Sequence, residues 1–383
     1  MESGLSRRDK NLQMLLRILP KQNDRRGFTL IELLVAILIS GIIVSALLYL
    51  VVEVLGINQK DSSRSDTQRD MQLAMDYITR DLREAFYVYG TEVEGPDVVS
   101  CLADRTDAAA TTRGENSQCT GLLAHLPVHL KTPKNVPVLA FWRPEPLPPK
   151  VTKHCKDNRD KIGQTPPTPA SRLIDRIPCV AQRMYTLVVY SLNTENENNT
   201  WKGRARIKRY ALPHFSESFV GDTRKPGWVA PVAANDKRPL SWPFGKTDLG
   251  ISNLQKTPSS TSGDGLPAAG NPSGDVPESV VLTDFVDSPA TALPNLTPVA
   301  STPTKNSGYC PNNFEVANFG RFVPEFYACV RRASVNENPE VRVVIKGNAA
   351  GRGGIPYATG EVPFQMEAQV MGRGVYSKQR SGS

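Results

Sequence analysis

Arg25-Arg26-Gly27-Phe28-Thr29-Leu30-Ile31-Glu32-Leu33-Leu34 opens the stretch that decides the fold. From Leu33 to Val52 the residues are apolar apart from Ser40, Gly41, Ser45 and the hydroxyl of Tyr49. That run is about 20 residues, or roughly 30 Å as a helix, enough to cross the hydrocarbon core of a bilayer. A secretory signal peptide has a shorter apolar region followed by a small-residue cleavage site. This run is too long for that, and the helical pattern continues past it. Upstream, residues 1–27 carry seven basic side chains (Arg7, Arg8, Lys10, Arg17, Lys21, Arg25, Arg26) against three acids (Glu2, Asp9, Asp24). Half of the formal charge of +8 therefore precedes the apolar run. Basic residues there keep an N-terminus in the cytoplasm and send the remainder outside. The same location weakens any inference from net charge to nucleic acid.

No proline occurs between Pro20 and Pro96. Met71, Met75, Ile78, Leu82 and Phe86 recur at three- and four-residue steps, with Ala74 and Ala85 beside them, while Gln72, Asp76, Arg80 and Arg83 fall on other faces. The spacing predicts a helix of about 60 residues from Phe28, roughly 90 Å long. Its first half is apolar all round and suits a membrane or a filament core; its second half is a one-sided stripe that docks on a globular head. Ala36, Ser40, Gly41 and Ser45 offer small faces for helix contact. Glu32 stands in the apolar segment, a costly place for a carboxylate unless it is paired. The alternative is a position at the headgroup level, stabilised by the helix N-terminal dipole. Glu53, at the far end, is solvated by the outer interface and has no assigned role.

Past Pro96 the pattern changes to strands. Val136–Trp142 and Met184–Leu192 are rich in β-branched and aromatic residues between turn formers, and Ser279–Val286 and Val341–Lys346 are further candidates. Trp201–Lys208 alternates apolar or small residues with Lys202, Arg204, Arg206 and Lys208, and Phe364–Val370 alternates throughout. Among the 31 prolines and 28 glycines, many crowd into Lys256–Asp275, which has little apolar surface to bury. The segments Lys150–Ile177 and Leu254–Asp275 are expected to be long loop insertions. Antiparallel strands covered by the long helix make an α+β fold.

All six cysteines (Cys101, Cys119, Cys155, Cys179, Cys310, Cys329) follow the apolar run, and none lies in a C-x-x-C pair. An even number on the exported side points to disulfides. The connectivity is open from sequence; the local set Cys101–Cys119, Cys155–Cys179 and Cys310–Cys329 is the expectation, each loop contributing about 3 kcal/mol on the chain-entropy model. Free buried thiols are the alternative. His125 and His129 flank Pro127 without forming H-E-x-x-H, and His154 beside Cys155 is outweighed by disulfide pairing. No G-x-S-x-G elbow or P-loop is present, and the glycine-rich Gly347–Gly354 lacks the P-loop lysine. No catalytic residue, metal or cofactor is expected. Lys202, Arg204, Arg206 and Lys208, with Arg209 adjoining, are the best partner-binding candidate. They could meet an acidic polysaccharide, or less readily nucleic acid, with Trp201 and Tyr210 for stacking. A charged edge strand that discourages sheet aggregation explains them as well.

The Gly27-Phe28 step with Glu32 beyond it resembles the prepilin family, whose leader peptides are cut on the cytoplasmic face after such a glycine. The resemblance implies a leader over 1–27, cleavage between Gly27 and Phe28 by a prepilin peptidase, and N-methylation of Phe28. It also implies that Glu32 pairs with the Phe28 amine of a neighbouring subunit and so sets the register of assembly. Tyr77–Ala85 is similar to the end of the long helix in J-type pseudopilins and related minor pilins. Pro137–Trp142, Tyr185–Tyr190 and Trp201 with Ala205-Arg206-Ile207 look like the HpsC pseudopilins of the hormogonium polysaccharide secretion system in filamentous cyanobacteria. Implied with these are a transmembrane or filament-core helix over 28–55, its amphipathic continuation over 56–90, and a β-rich head over 91–383 with the Pro/Gly/Ser-rich insertion near 256–275. The expected location is the inner membrane, single-pass, with a periplasmic head, and then a filament. The expected partners are other pseudopilins or minor pilins and an inner-membrane assembly platform. The function implied is a minor pseudopilin serving polysaccharide secretion and surface motility; the alternative is a minor pilin or tip adhesin binding DNA or a surface.

Overall fold

A computed structural model describes residues 27, 29–90, 105–106, 118–119, 130, 132, 134–175, 177–196, 199–215, 217, 279–288, 309–317, 323–331, 340–355 and 363–372. Helix α1 spans Leu30–Glu84, 55 residues. The chain divides into two compact units, 1–58 and 59–383. In the first unit the helix is exposed from Leu30 to Leu55, and it is long and apolar enough to cross a membrane. Two hydroxyls in this segment are satisfied along the helix itself: Ser40 Oγ donates to the Ile37 carbonyl at 3.1 Å and Ser45 Oγ to the Gly41 carbonyl at 2.8 Å. An apolar helix can carry hydroxyls in lipid on that condition.

In the second unit α1 is one-sided. Met71, Ala74, Met75, Ile78, Asp81 and Leu82 are buried, the 3.6-residue stripe the sequence predicts plus one acid. The helix ends at Glu84, with Arg83 favourably placed in its last turn. Phe86 therefore lies past the helix, although its spacing fits the stripe. The chain has by then become an edge strand, β1 (Tyr87–Val88), alongside β4 (Asn135–Pro146). The Phe86 N–H donates to the Trp142 carbonyl and the Tyr89 N–H to the Ala140 carbonyl, each at 3.0 Å. A sheet partner has outcompeted helical continuation.

The head is built on one antiparallel sheet. Its remaining strands are β5 (Arg183–Asn193), β6 (Ala205–Pro213), β7 (Val280–Val286), β8 (Phe314–Val316), β9 (Phe326–Arg331), β10 (Glu340–Asn348) and β11 (Pro363–Met371). The order is β1-β4-β5-β6-β7-β10-β9-β8, with β11 on β10 off that path; a separate short pair joins β2 (Arg105–Thr106) and β3 (Gln118–Cys119). The α+β expectation holds. Phe141, Trp142, Val188, Tyr190, Ile207, Val343 and Ile345 meet Met71, Met75, Ile78 and Leu82 of α1 in the main core.

Two stretches differ from expectation. The alternation of Trp201–Lys208 becomes strand only from Ala205. Asn196 exchanges two hydrogen bonds with Trp201 (Nδ2 to the carbonyl, 2.8 Å; N–H to Oδ1, 3.1 Å). The Lys202 and Gly203 N–H groups donate to Asp284 Oδ2 at 3.1 and 2.8 Å, so donors a ladder would use are already engaged. The Lys150–Ile177 insertion is helical rather than loop. It contains α2 (Pro149–Asp157), a 3₁₀ turn over Arg159–Lys161 and α3 (Pro169–Ile174). Leu147, Val151, Cys155, Ile174, Ile177, Cys179, Met184 and Phe215 form a small core of its own. Two apolar positions four apart, Val151 and Cys155, are enough to seat α2 because the Cys155–Cys179 disulfide, Cα atoms 5.5 Å apart, holds it there. Leu254–Asp275 lies outside the described residues.

Candidate functional site

The N-terminal end of α1 is set by a reciprocal cap. Thr29 precedes the first helical residue, and the Glu32 N–H donates to its Oγ1 at 3.4 Å. Glu32 in turn accepts, on Oε2, the Thr29 N–H at 3.1 Å and the Thr29 hydroxyl at 3.0 Å. This is the Ser/Thr-x-x-Glu capping box, in which two orphan donors at a helix start are satisfied at once. Thr29-Leu30-Ile31-Glu32 carries this signal in its sequence, a threonine three residues before a glutamate at the start of an apolar run. Gly27 is exposed, and a Cβ there would meet nothing within 4 Å. Phe28 lies outside the described residues.

The helix is fixed to the head at two places. The first is a buried carboxylate. Asp81, 3% exposed, accepts hydrogen bonds from Arg143 Nη1 of β4, from the Tyr190 hydroxyl of β5 at 2.7 Å and from Arg209 Nε of β6 at 2.8 Å. Arg143 also pairs with Glu145 at 2.8 Å, and Arg209 lies over the Tyr77 ring at 5.6 Å. Burial first, and then the Asp81 charge, push the Tyr190 pKa far up, so its hydroxyl remains a donor. One helix acid thus ties α1 to three adjacent strands. The second place is the turn after β10. Ser63 Oγ donates to the Gly353 carbonyl at 2.7 Å, Arg352 pairs with Asp70 and stacks over Phe285 at 4.4 Å, and Gly354 has φ +81°. The glycine-rich Gly347–Gly354, unassigned from sequence, is in part this helix-docking turn. Its glycines let the backbone approach Gln59, which a Cβ on Gly354 would meet at 3.0 Å.

The predicted basic face is not assembled. Arg206 is fully buried, donating to the Glu195 carbonyl, to Asn193 Oδ1 at 3.4 Å and to the Gly203 carbonyl at 3.3 Å. Arg209 is engaged by Asp81, and Lys208 lies 3.7 Å from Glu195. Lys202 is exposed and Arg204 half-buried. The cause is topological: β6 lies between β5 and β7, so its charges are drawn into internal pairs, and the edge-strand explanation fails with the shared face. Two of the three expected disulfides are formed, Cys155–Cys179 and Cys310–Cys329; Cys101 lies outside the described residues, as do His125 and His129. Among the described residues no three metal-ligating side chains cluster.

The family model for the prokaryotic N-terminal methylation motif matches residues 22–48. No curated protein and no solved structure matches the chain. The motif match, with the apolar helix and antiparallel head behind it, supports a type IV pilin- or pseudopilin-like protein. A motif of this kind is structural rather than catalytic, and it implies processing by a prepilin peptidase and assembly with other pilins.

Proposed function

We propose that the chain is a minor pseudopilin of a pilus-like machine that serves polysaccharide secretion and surface motility. The observation that carries the pilin-like class is the methylation motif over residues 22–48, with Gly27, Phe28 and Glu32 before a membrane-length apolar run; the polysaccharide role rests on the resemblance of Pro137–Trp142, Tyr185–Tyr190 and Ala205-Arg206-Ile207 to HpsC pseudopilins. In this reading the peptidase cuts after Gly27 and methylates the Phe28 amine. The subunit waits in the inner membrane with its head outside until an assembly platform lifts it into a filament. Glu32 then takes up the Phe28 amine of a neighbouring subunit, because that cation offers a carboxylate in apolar surroundings far more than Thr29 does. The Asp81 cluster keeps the head fixed to the helix that is being pulled.

N-terminal sequencing of the mature protein tests the class. A chain beginning at methylated Phe28 is expected, and an unprocessed Met1 would end the proposal. The narrower role is tested by deletion: exported polysaccharide and gliding should both fall. Loss of twitching or DNA uptake with polysaccharide unchanged would favour a minor pilin or tip adhesin instead.

A further inference from the structure

Two strands share one edge of β10, and two acids meet where they do. The Lys346 N–H of β10 donates to the Glu325 carbonyl, just before β9, at 2.7 Å, and its carbonyl accepts the Asp287 N–H, just after β7, at 2.9 Å. Residues 325 and 287 therefore stand opposite the same residue. Asp287 is provided for: its Oδ1 accepts from Asn348 Nδ2 and from the Ser288 N–H, each at 3.1 Å. Glu325 is provided for only in part. It is 8% exposed; its own backbone N–H hydrogen-bonds the carboxylate, but Oε2 is closed off from solvent and meets no hydrogen-bond donor among the described residues. A buried carboxylate oxygen left without a donor is expensive as an anion and tolerable as an acid.

The charges facing Glu325 do not remedy this. Asp287, from the end of β7, repels a second negative charge, while Lys346, from β10, offsets it in part. Burial is the largest cause, the hydrogen bond from its own backbone N–H opposes it, and the net direction for Glu325 is a pKa above the ordinary carboxylate value.

We propose that the junction of β7, β9 and β10 is a proton-linked clasp, held most firmly when Glu325 is protonated. Deprotonation puts a charge beside Asp287 that only the residue's own backbone N–H receives among the described residues, and strains the point where both strands hang from Lys346. The sign follows from the raised folded pKa. The stabilisation is complete below the unfolded value of about 4.3 and is lost as pH rises through the folded one. The head is tighter in acid.

The test compares thermal unfolding of the full chain in detergent micelles with that of Glu325→Gln, which keeps the shape and never ionises, from about pH 3.5 to pH 8, spanning the unfolded value. The variant should melt higher than the parent at pH 8, by about 2–4 °C, and the gap should close as the pH falls below about 4.3. Asp287→Asn, which removes the repulsion, should flatten the parent's profile in the same direction and serves if the first variant does not fold. Parallel profiles for all three proteins would overturn the proposal. So would a calcium-dependent rise in melting temperature that Glu325→Gln loses, since the two carboxyls would then hold a cation rather than a proton.

Discussion

Replacing Asp81 by Asn isolates the joint between helix and head. The side chain keeps its size but loses its charge, and one oxygen that accepts a hydrogen bond becomes a donor. Removing one partner of a buried ion pair generally costs 3–5 kcal/mol, because the other charge is left uncompensated. Here the loss is tempered. Arg143 keeps Glu145 at 2.8 Å, and the side chains of Arg143 and Arg209 retain 19% and 15% of their exposure. Arg209 and the Tyr190 hydroxyl have less to fall back on. The expected cost is about 3 kcal/mol, or roughly 6–12 °C in melting temperature at about 2–4 °C per kcal/mol. Tyr190→Phe, which removes one donor and leaves both arginines, should cost only about 1–2 kcal/mol. Pairing Asp81→Leu with Arg209→Met should recover much of what either change loses alone, since a well-packed apolar pair often equals a buried ionic one. Urea unfolding of the full chain in micelles, followed by near-ultraviolet circular dichroism, reads each of these variants. If Asp81→Asn stays within about 1 kcal/mol of the parent, the carboxylate does not hold the helix to the sheet.

Three further outcomes are expected. Gly203→Ala should be severely destabilising: a Cβ there would lie 2.7 Å from the Phe285 Cα and closer still to its nitrogen, so even one methyl group displaces backbone, and loss of soluble expression is the readout. Cys155→Ser with Cys179→Ser should cost about 3 kcal/mol but act locally, speeding hydrogen exchange in α2 and α3 before that of β9 and β10. Thr29→Ala should quicken exchange of the first-turn amides of α1 by removing the cap, while Glu32→Ala should in addition deplete the subunit from the filament fraction. Equal filament incorporation for Glu32→Ala and the parent would remove Glu32 from assembly.

Much of the fold was legible because its signals are periodic. The α1 stripe needs only residues three and four apart, and five of the proposed strands could be found from composition and alternation within a single segment. The disulfides Cys155–Cys179 and Cys310–Cys329 were within reach because their separations, 24 and 19 residues, make local closure the simplest choice. Lys150–Ile177 was misread because its helices are short and apolar on only two positions in α2; a disulfide and a private core supply what periodicity does not. The basic alternation at 202–208 misled for the opposite reason. Alternation reports which side a residue faces, but whether that side meets solvent or another carboxylate depends on the strands placed to either side of it.

The same distinction separates the two acids of α1. Glu32 could be singled out because everything that makes it unusual lies within a few residues: the apolar run, the glycine and aromatic before it, and the threonine that caps it. Asp81 sits in Arg80-Asp81-Leu82-Arg83, within Tyr77–Ala85, where nothing local sets it apart from the neighbouring charges, and its donors are 62, 109 and 128 residues away. No window along the chain contains them. Their chemistry also differs in kind. Asp81 is answered by three donors of its own chain and can do nothing further, which is what a structural joint requires. Among the described residues Glu32 is answered by Thr29 alone, on one oxygen. A carboxylate that is capped but not neutralised can still gain from a cation brought to it, and that remaining capacity is what an assembly residue has to have.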